Sequence, residues 1–310
     1  MVSRIAAPFA AWLVLAFPVA SPATSGDGPI DRVVEREVVK ARQALDRVEL
    51  WEDHSTWASA WEVPTDHYLV RMAGMRRKAI AYGELLERMY GYFNDFIGVE
   101  PPPEALPLRV FIFPDIGGYN DYGQQGGAGP ESSKHGGYFN QNDPQLPVVT
   151  YFYPFDYFVN KWLTQGALHQ YVQACYPAGY AALPSWISYG LASYFEIFID
   201  WEGSKAAFEN LRRTGQLLAL RNLLDARIDN YEDRHFTQLG MLFYYLIHVR
   251  EGTRTEVSED GTVVAPFRDY LIKRMSNVSV DDDPIHKLLS GRLLPEDFGR
   301  LDADFKAMSF

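Results

Sequence analysis

Apolar and polar positions run along this chain with two periods, and the switches between them mark out the elements. In residues 31–50, Val33, Val34, Val38, Ala41, Leu45 and Val48 recur at helical spacing with charges between them, which predicts an amphipathic helix. Residues 67–72 alternate as a half-buried strand does. The helical period returns at 76–97, with Ala79, Gly83, Leu86, Tyr90, Phe93 and Ile97 on one side, and the proline run 101–103 ends it. Residues 108–113, bounded by Pro107 and Pro114, form the strongest strand pattern and predict a central one. Residues 51–64 read as connecting structure and 117–135 as a glycine-rich surface loop. Two short strands at 136–140 and 148–152 make a hairpin around Asn142, Asp143 and Pro144.

A second block of helices follows. Phe155, Phe158, Val159, Trp162 and Leu163 keep helical spacing, so a helix is expected over 155–175, closed by Tyr176-Pro177-Ala178-Gly179. Five more helices near 205–211, 217–224, 236–249, 266–275 and 295–308 complete an α+β pattern.

Composition narrows the class. The chain has 310 residues, 47% of them apolar and 15% aromatic, enough for one large or two modest cores. A net charge of −11 and a pI near 5.1 argue against nucleic acid or an anionic membrane surface as the main partner. Residues 1–23 carry one early positive charge at Arg4, an apolar run and small residues at Ser21 and Ala23, the make-up of a secretory signal. Export to a periplasmic or extracellular space is therefore expected, with no transmembrane anchor after signal removal. A lone cysteine, Cys175, leaves no internal disulfide to staple the fold.

Other motifs carry little chemistry. The run Gly126-Gly127-Ala128-Gly129 lacks the Gly-Lys-Ser/Thr ending of a phosphate cradle, and Asp281-Asp282-Asp283 lacks the spaced ligands of a calcium loop. The informative stretch is Gln165-Gly166-Ala167-Leu168-His169. Gln165 and His169 stand one turn apart, where a His-Glu-x-x-His helix carries two zinc-binding histidines around a water-polarising glutamate. The segment Pro184-Ser185-Trp186-Ile187-Ser188-Tyr189-Gly190-Leu191-Ala192-Ser193-Tyr194-Phe195-Glu196 follows.

Together the two segments resemble the helix pair of gluzincins, peptidases of the MA superfamily, in a secreted and largely uncharacterised branch. That branch reads Pro-x-Trp-Leu-Ser-Glu-Gly-Leu-Ala-Glu-Tyr-Phe-Glu at the second helix. The resemblance implies a zincin-like fold: a small twisted sheet packed on the site helix, then a C-terminal helical subdomain. Its segments would be an N-terminal helix and connection to residue 65, the α+β domain at 66–200 and the helical part at 201–310. It also implies a degenerate site, because Gln165 and Gly166 replace the first histidine and the glutamate, and Tyr189 and Ser193 replace the third ligand and its supporting acid. On this reading no catalytic residue and no zinc are expected, and Tyr138, Trp162, Trp186 and Glu196 line a cleft that binds an extended peptide or polymer. Two alternatives stand beside it. One is an active metal-dependent hydrolase with a rebuilt site on His169 and Glu196, helped by His135 or His248; the other is a structural protein with no ligand.

Overall fold

A computed structural model describes residues 54–125, 136–139, 147–153, 155–226, 231–250, 266–289 and 295–308. The expected signal, the helix at 31–50, the glycine run at 126–129 and His135 lie outside these residues. The class is α+β, as the periodicity predicts.

Strand β1 (Trp61–Pro64) pairs antiparallel with β2 (Tyr68–Met72), from Trp61 opposite Met72 to Pro64 opposite Leu69. Helix α1 (Arg76–Ile97) then crosses to β3 (Leu108–Phe113), which lies parallel to β2. Tyr68, Val70 and Met72 alternate inward on β2, and Ala79, Gly83, Leu86, Tyr90, Phe93 and Ile97 are buried along α1, the positions the sequence singles out. Gly98 closes that helix at φ +76°, a conformation that side chains with a Cβ rarely adopt. Two more strands, β4 (Gly137–Tyr138) and β5 (Val148–Tyr151), pair antiparallel with each other. Among the described residues the five-stranded sheet runs β1-β2-β3-β5-β4, which places β3 centrally and puts β4 last in the order.

Several elements depart from the sequence expectation. The segment read as connecting structure contains β1, a four-residue strand ending in proline, which an edge position tolerates. Part of the expected loop is helix α2 (Ile116–Gln125). Its glycines mask the pattern, but the Asp115 carboxylate accepts the Gly118 amide at 2.9 Å and Tyr119 is wholly buried beside Phe113 and Val149.

From β5 the chain passes into α3 (Asp156–Cys175), then α4 (Pro177–Ala181), α5 (Ser185–Ile197), α6 (Trp201–Arg213), α7 (Leu220–Asp225) and α8 (Asp233–Tyr244). A π-helical turn, Tyr245–Arg250, extends α8. Helices α9 (Pro266–Met275), α10 (Pro284–Leu289) and α11 (Pro295–Ala307) finish the chain. Helix α10 is unforeseen because it is short and follows the acidic run; Asp283 starts it by accepting the Ile285 amide at 2.9 Å.

A large apolar core joins the sheet to the C-terminal helices, beside a smaller cluster of Phe113, Tyr119 and Val149. Val70, Val110 and Val148 of the sheet, Leu168 and Leu191 of α3 and α5, and Phe243, Phe267 and Phe305 of the C-terminal helices belong to a single buried cluster. The helical part at 201–310 is thus joined to the sheet part by shared packing. Among the described residues no helix is long and apolar enough to cross a membrane.

Candidate functional site

Helix α3 is buried on nearly every side in its second half, from Gly166 to Gln173, so its polar residues there must find partners inside the protein. On one stripe, at steps of four, stand Tyr157, Lys161, Gln165 and His169. Helix α5 answers with Tyr189, Ser193 and Glu196.

The Glu196 carboxylate collects three donors from that stripe. Gln165 Nε2 donates to Glu196 Oε2 at 2.7 Å, the Lys161 ammonium lies 3.2 Å from Oε1, and the Tyr157 hydroxyl donates to Oε1 at 3.4 Å. Burial, and then the charge of Glu196, push the Tyr157 phenol up to about 12, so it stays protonated and able to donate. Gln165 is thereby committed to a carboxylate.

His169 lies further along the stripe and is 7% exposed. Burial lowers its pKa to about 4, which makes it a neutral imidazole at pH 7. Its Nδ1 is 2.8 Å from the hydroxyl of Tyr180 on α4, a phenol that burial raises strongly and so keeps protonated. Either group can be the donor in that bond, according to the tautomer, and the other ring nitrogen, Nε2, is buried without a hydrogen-bond partner. The ring of Tyr189 packs edge-on against the imidazole at 5.2 Å between centroids. Burial also raises the Tyr189 phenol.

Gly166, at the glutamate position, faces the sheet. A Cβ there would stand 2.4 Å from Val148 Cγ1, so the bare backbone lets α3 press onto β5. Ser193 is 4% exposed, and its hydroxyl is buried without a hydrogen-bond partner. The structure thus brings Gln165 to Glu196 and His169 to Tyr189, and turns Gly166 away from both.

The cleft-lining expectations divide. Trp162 is half-buried and lies against the backbone of Gly136 and Gly137, where a Cβ on Gly136 would fall 1.8 Å from its ring. Tyr138 contributes backbone to β4, opposite Val149. Trp186 is a core residue instead, 8% exposed and packed edge-on against Phe243. Glu196 does border a cavity of about 60 Å³, with Lys161, Ser193, Phe236, Thr237 and Gly240 among the other walls.

Histidine 248 is exposed and hydrogen-bonds the Tyr194 hydroxyl at 2.9 Å. Among the described residues no three His, Cys, Asp or Glu side chains gather into a metal-sized group. As a zinc donor set the three motif positions fit poorly: an amide tied to a carboxylate and a protonated phenol stand beside a single imidazole. Cys175 donates to the Val99 carbonyl at 3.3 Å, and burial pushes its thiol up to about 12, so it is an inert thiol at neutral pH. The acidic run 281–283 is tied down by the pairs Lys273–Asp283 and Lys287–Asp282.

Sequence reasoning overlooked Lys161, Tyr157, Tyr180 and Phe236. The first two carried a signal, their four-residue steps before Gln165; the others are known only from the packing. No protein-family model matches this chain, and no curated protein matches it.

Proposed function

We propose that this chain is an exported, non-catalytic relative of gluzincin peptidases, with a zincin-like fold, that binds an extended peptide along the edge of its sheet. One observation carries the reading: at three of the motif positions that would serve a metal, 165, 166 and 189, the residue present is engaged in contacts within the protein and offers neither imidazole nor carboxylate. Gln165 holds Glu196, His169 Nδ1 is hydrogen-bonded with Tyr180, Tyr189 covers the imidazole, and Gly166 seats the helix on Val148. No group at position 166 can take a proton from water.

Support for the binding role comes from the sheet. Strand β4 stands at the end of the strand order and pairs with β5 on one side, and β5 leads straight into α3. An edge of this kind offers N–H and C=O groups to a peptide that adds as another strand. The test is fluorescence anisotropy of labelled, unstructured peptides derived from casein, with the full chain and with Tyr138→Pro. Binding weakened about tenfold or more by the proline, which removes a donor and fixes φ, is expected. Absence of binding, or equal binding by the variant, overturns the role.

A further inference from the structure

Beyond its place in the degenerate motif, the Glu196 carboxylate joins two side chains that can react with each other. Lys161 and Gln165 stand one turn apart on α3, a spacing that puts their Cβ atoms about 5–6 Å from each other. From α5, Glu196 Oε1 lies 3.2 Å from the Lys161 ammonium, and Oε2 accepts from Gln165 Nε2 at 2.7 Å. One carboxylate thus meets an amine with one oxygen and the nitrogen of a carboxamide with the other.

The surroundings hold water back. The side chains of Lys161 and Glu196 are 20% and 10% exposed, and the ring of Phe236 on α8 stands 5.9 Å from the Lys161 nitrogen. An ion pair shut away from water can pass its proton across and become an amine beside a carboxylic acid. The amine is then a nucleophile. Well-oriented neighbours react at effective concentrations that reach about 10⁵–10⁸ M, the advantage that an unreactive carboxamide requires.

We propose that Lys161 and Gln165 join in an amide crosslink, which the protein makes on itself with Glu196 as proton carrier. Lys161 Nζ gives a proton to Glu196 Oε1 and attacks Gln165 Cδ. The Nζ–Cδ bond forms and the Cδ–Nε2 bond breaks. Two protons leave Nζ, one before the attack and one as the new bond forms, and Glu196 passes both to Nε2, against which its Oε2 already lies. Nε2 departs as ammonium, and Glu196 ends as the carboxylate it began as. The cavity of about 60 Å³ that Lys161 and Glu196 help to wall has room for the departing ion. The product is a ring across one helical turn, a covalent staple in a chain whose lone cysteine makes no internal disulfide. It does not depend on the peptide-binding reading.

The test is mass spectrometry of the full chain, purified at neutral pH and digested with trypsin, which does not cut after an acylated lysine. The crosslink predicts residues 135–205 as one fragment, uncut at Lys161 and lighter by one ammonia than its sequence requires. Breaking its backbone within 161–165 should release no separate pieces, since the ring holds them together. Lys161→Arg keeps a cation beside Glu196 and removes the attacking amine, and Glu196→Gln removes the proton carrier. In both variants residues 135–161 and 162–205 are expected as two fragments of full mass. The same two fragments from the unaltered chain overturn the crosslink. Loss of one water in place of one ammonia puts the bond on Glu196 and overturns the assignment to Gln165. Loss of ammonia in Glu196→Gln overturns the carrier.

Discussion

Gly166 shows how much one position decides here. Its missing side chain is required by Val148, because even a Cβ would approach the valine methyl to 2.4 Å. Gly166→Ala gains up to about 1 kcal/mol of helix propensity, but crowding a packed interface costs about 1–3 kcal/mol. The net expected outcome is a lower denaturant midpoint, and Val148→Ala in the same chain should restore part of it. Additive losses in the double variant would mean the two side chains do not collide.

His169 makes a pH prediction. Burial holds it at about 4 in the fold against 6.5 ordinarily. As pH falls, the unfolded chain takes up this proton first, so the neutral imidazole's contribution is whole above about 6.5, declines down to about 4, and is constant below. Between pH 7 and pH 5 the loss is about 2 kcal/mol. His235 and His248, also lowered by burial, act in the same direction. The clean comparison is therefore with His169→Gln, whose stability by urea unfolding should fall less over that interval. An equal fall would show that His169 does not titrate as a buried group.

At the scale of elements, helix α5 sits close to α8 because two glycines allow it. A Cβ on Gly190 would lie 2.3 Å from the ring of Phe243, and one on Gly240 would lie 2.9 Å from the carbonyl oxygen of Ser193. Phe243 cannot swing away freely, since Trp186 and Phe267 pack on it. Gly190→Ala is expected to cost about 1–3 kcal/mol, read as a shift in thermal midpoint; no shift would mean the helices are looser than this packing. Helix α3 was legible in the sequence and begins within a residue of the expected bound, while α5 falls on the segment that the resemblance marks as the second helix. Helix α2 was not, because Gly117, Gly118 and Gly123 erase the period that Tyr119 and its capping aspartate supply. Nor could periodicity show that Gln165 meets Glu196 or that Tyr180 meets His169, which are contacts between helices. The four-residue ladder from Tyr157 to His169 was there to be read, and its significance depended on what faced it.

For the whole molecule, the larger apolar cluster, with members from Tyr68 to Met308, makes the sheet and the C-terminal helices one packing unit. Residues 54–308 should therefore unfold together, with tryptophan fluorescence and far-ultraviolet circular dichroism giving coincident transitions. Separate transitions would divide the sheet from the helices. Leu168 of α3 and Ile187 and Leu191 of α5 are buried in that cluster.

The most direct measurement is the zinc content of the full chain, purified without chelators from zinc-replete medium, together with its thermal midpoint before and after EDTA. The account predicts zinc well below one ion per chain and the same midpoint in both conditions. One zinc per chain, lost in His169→Ala with a fall in the midpoint, would contradict it.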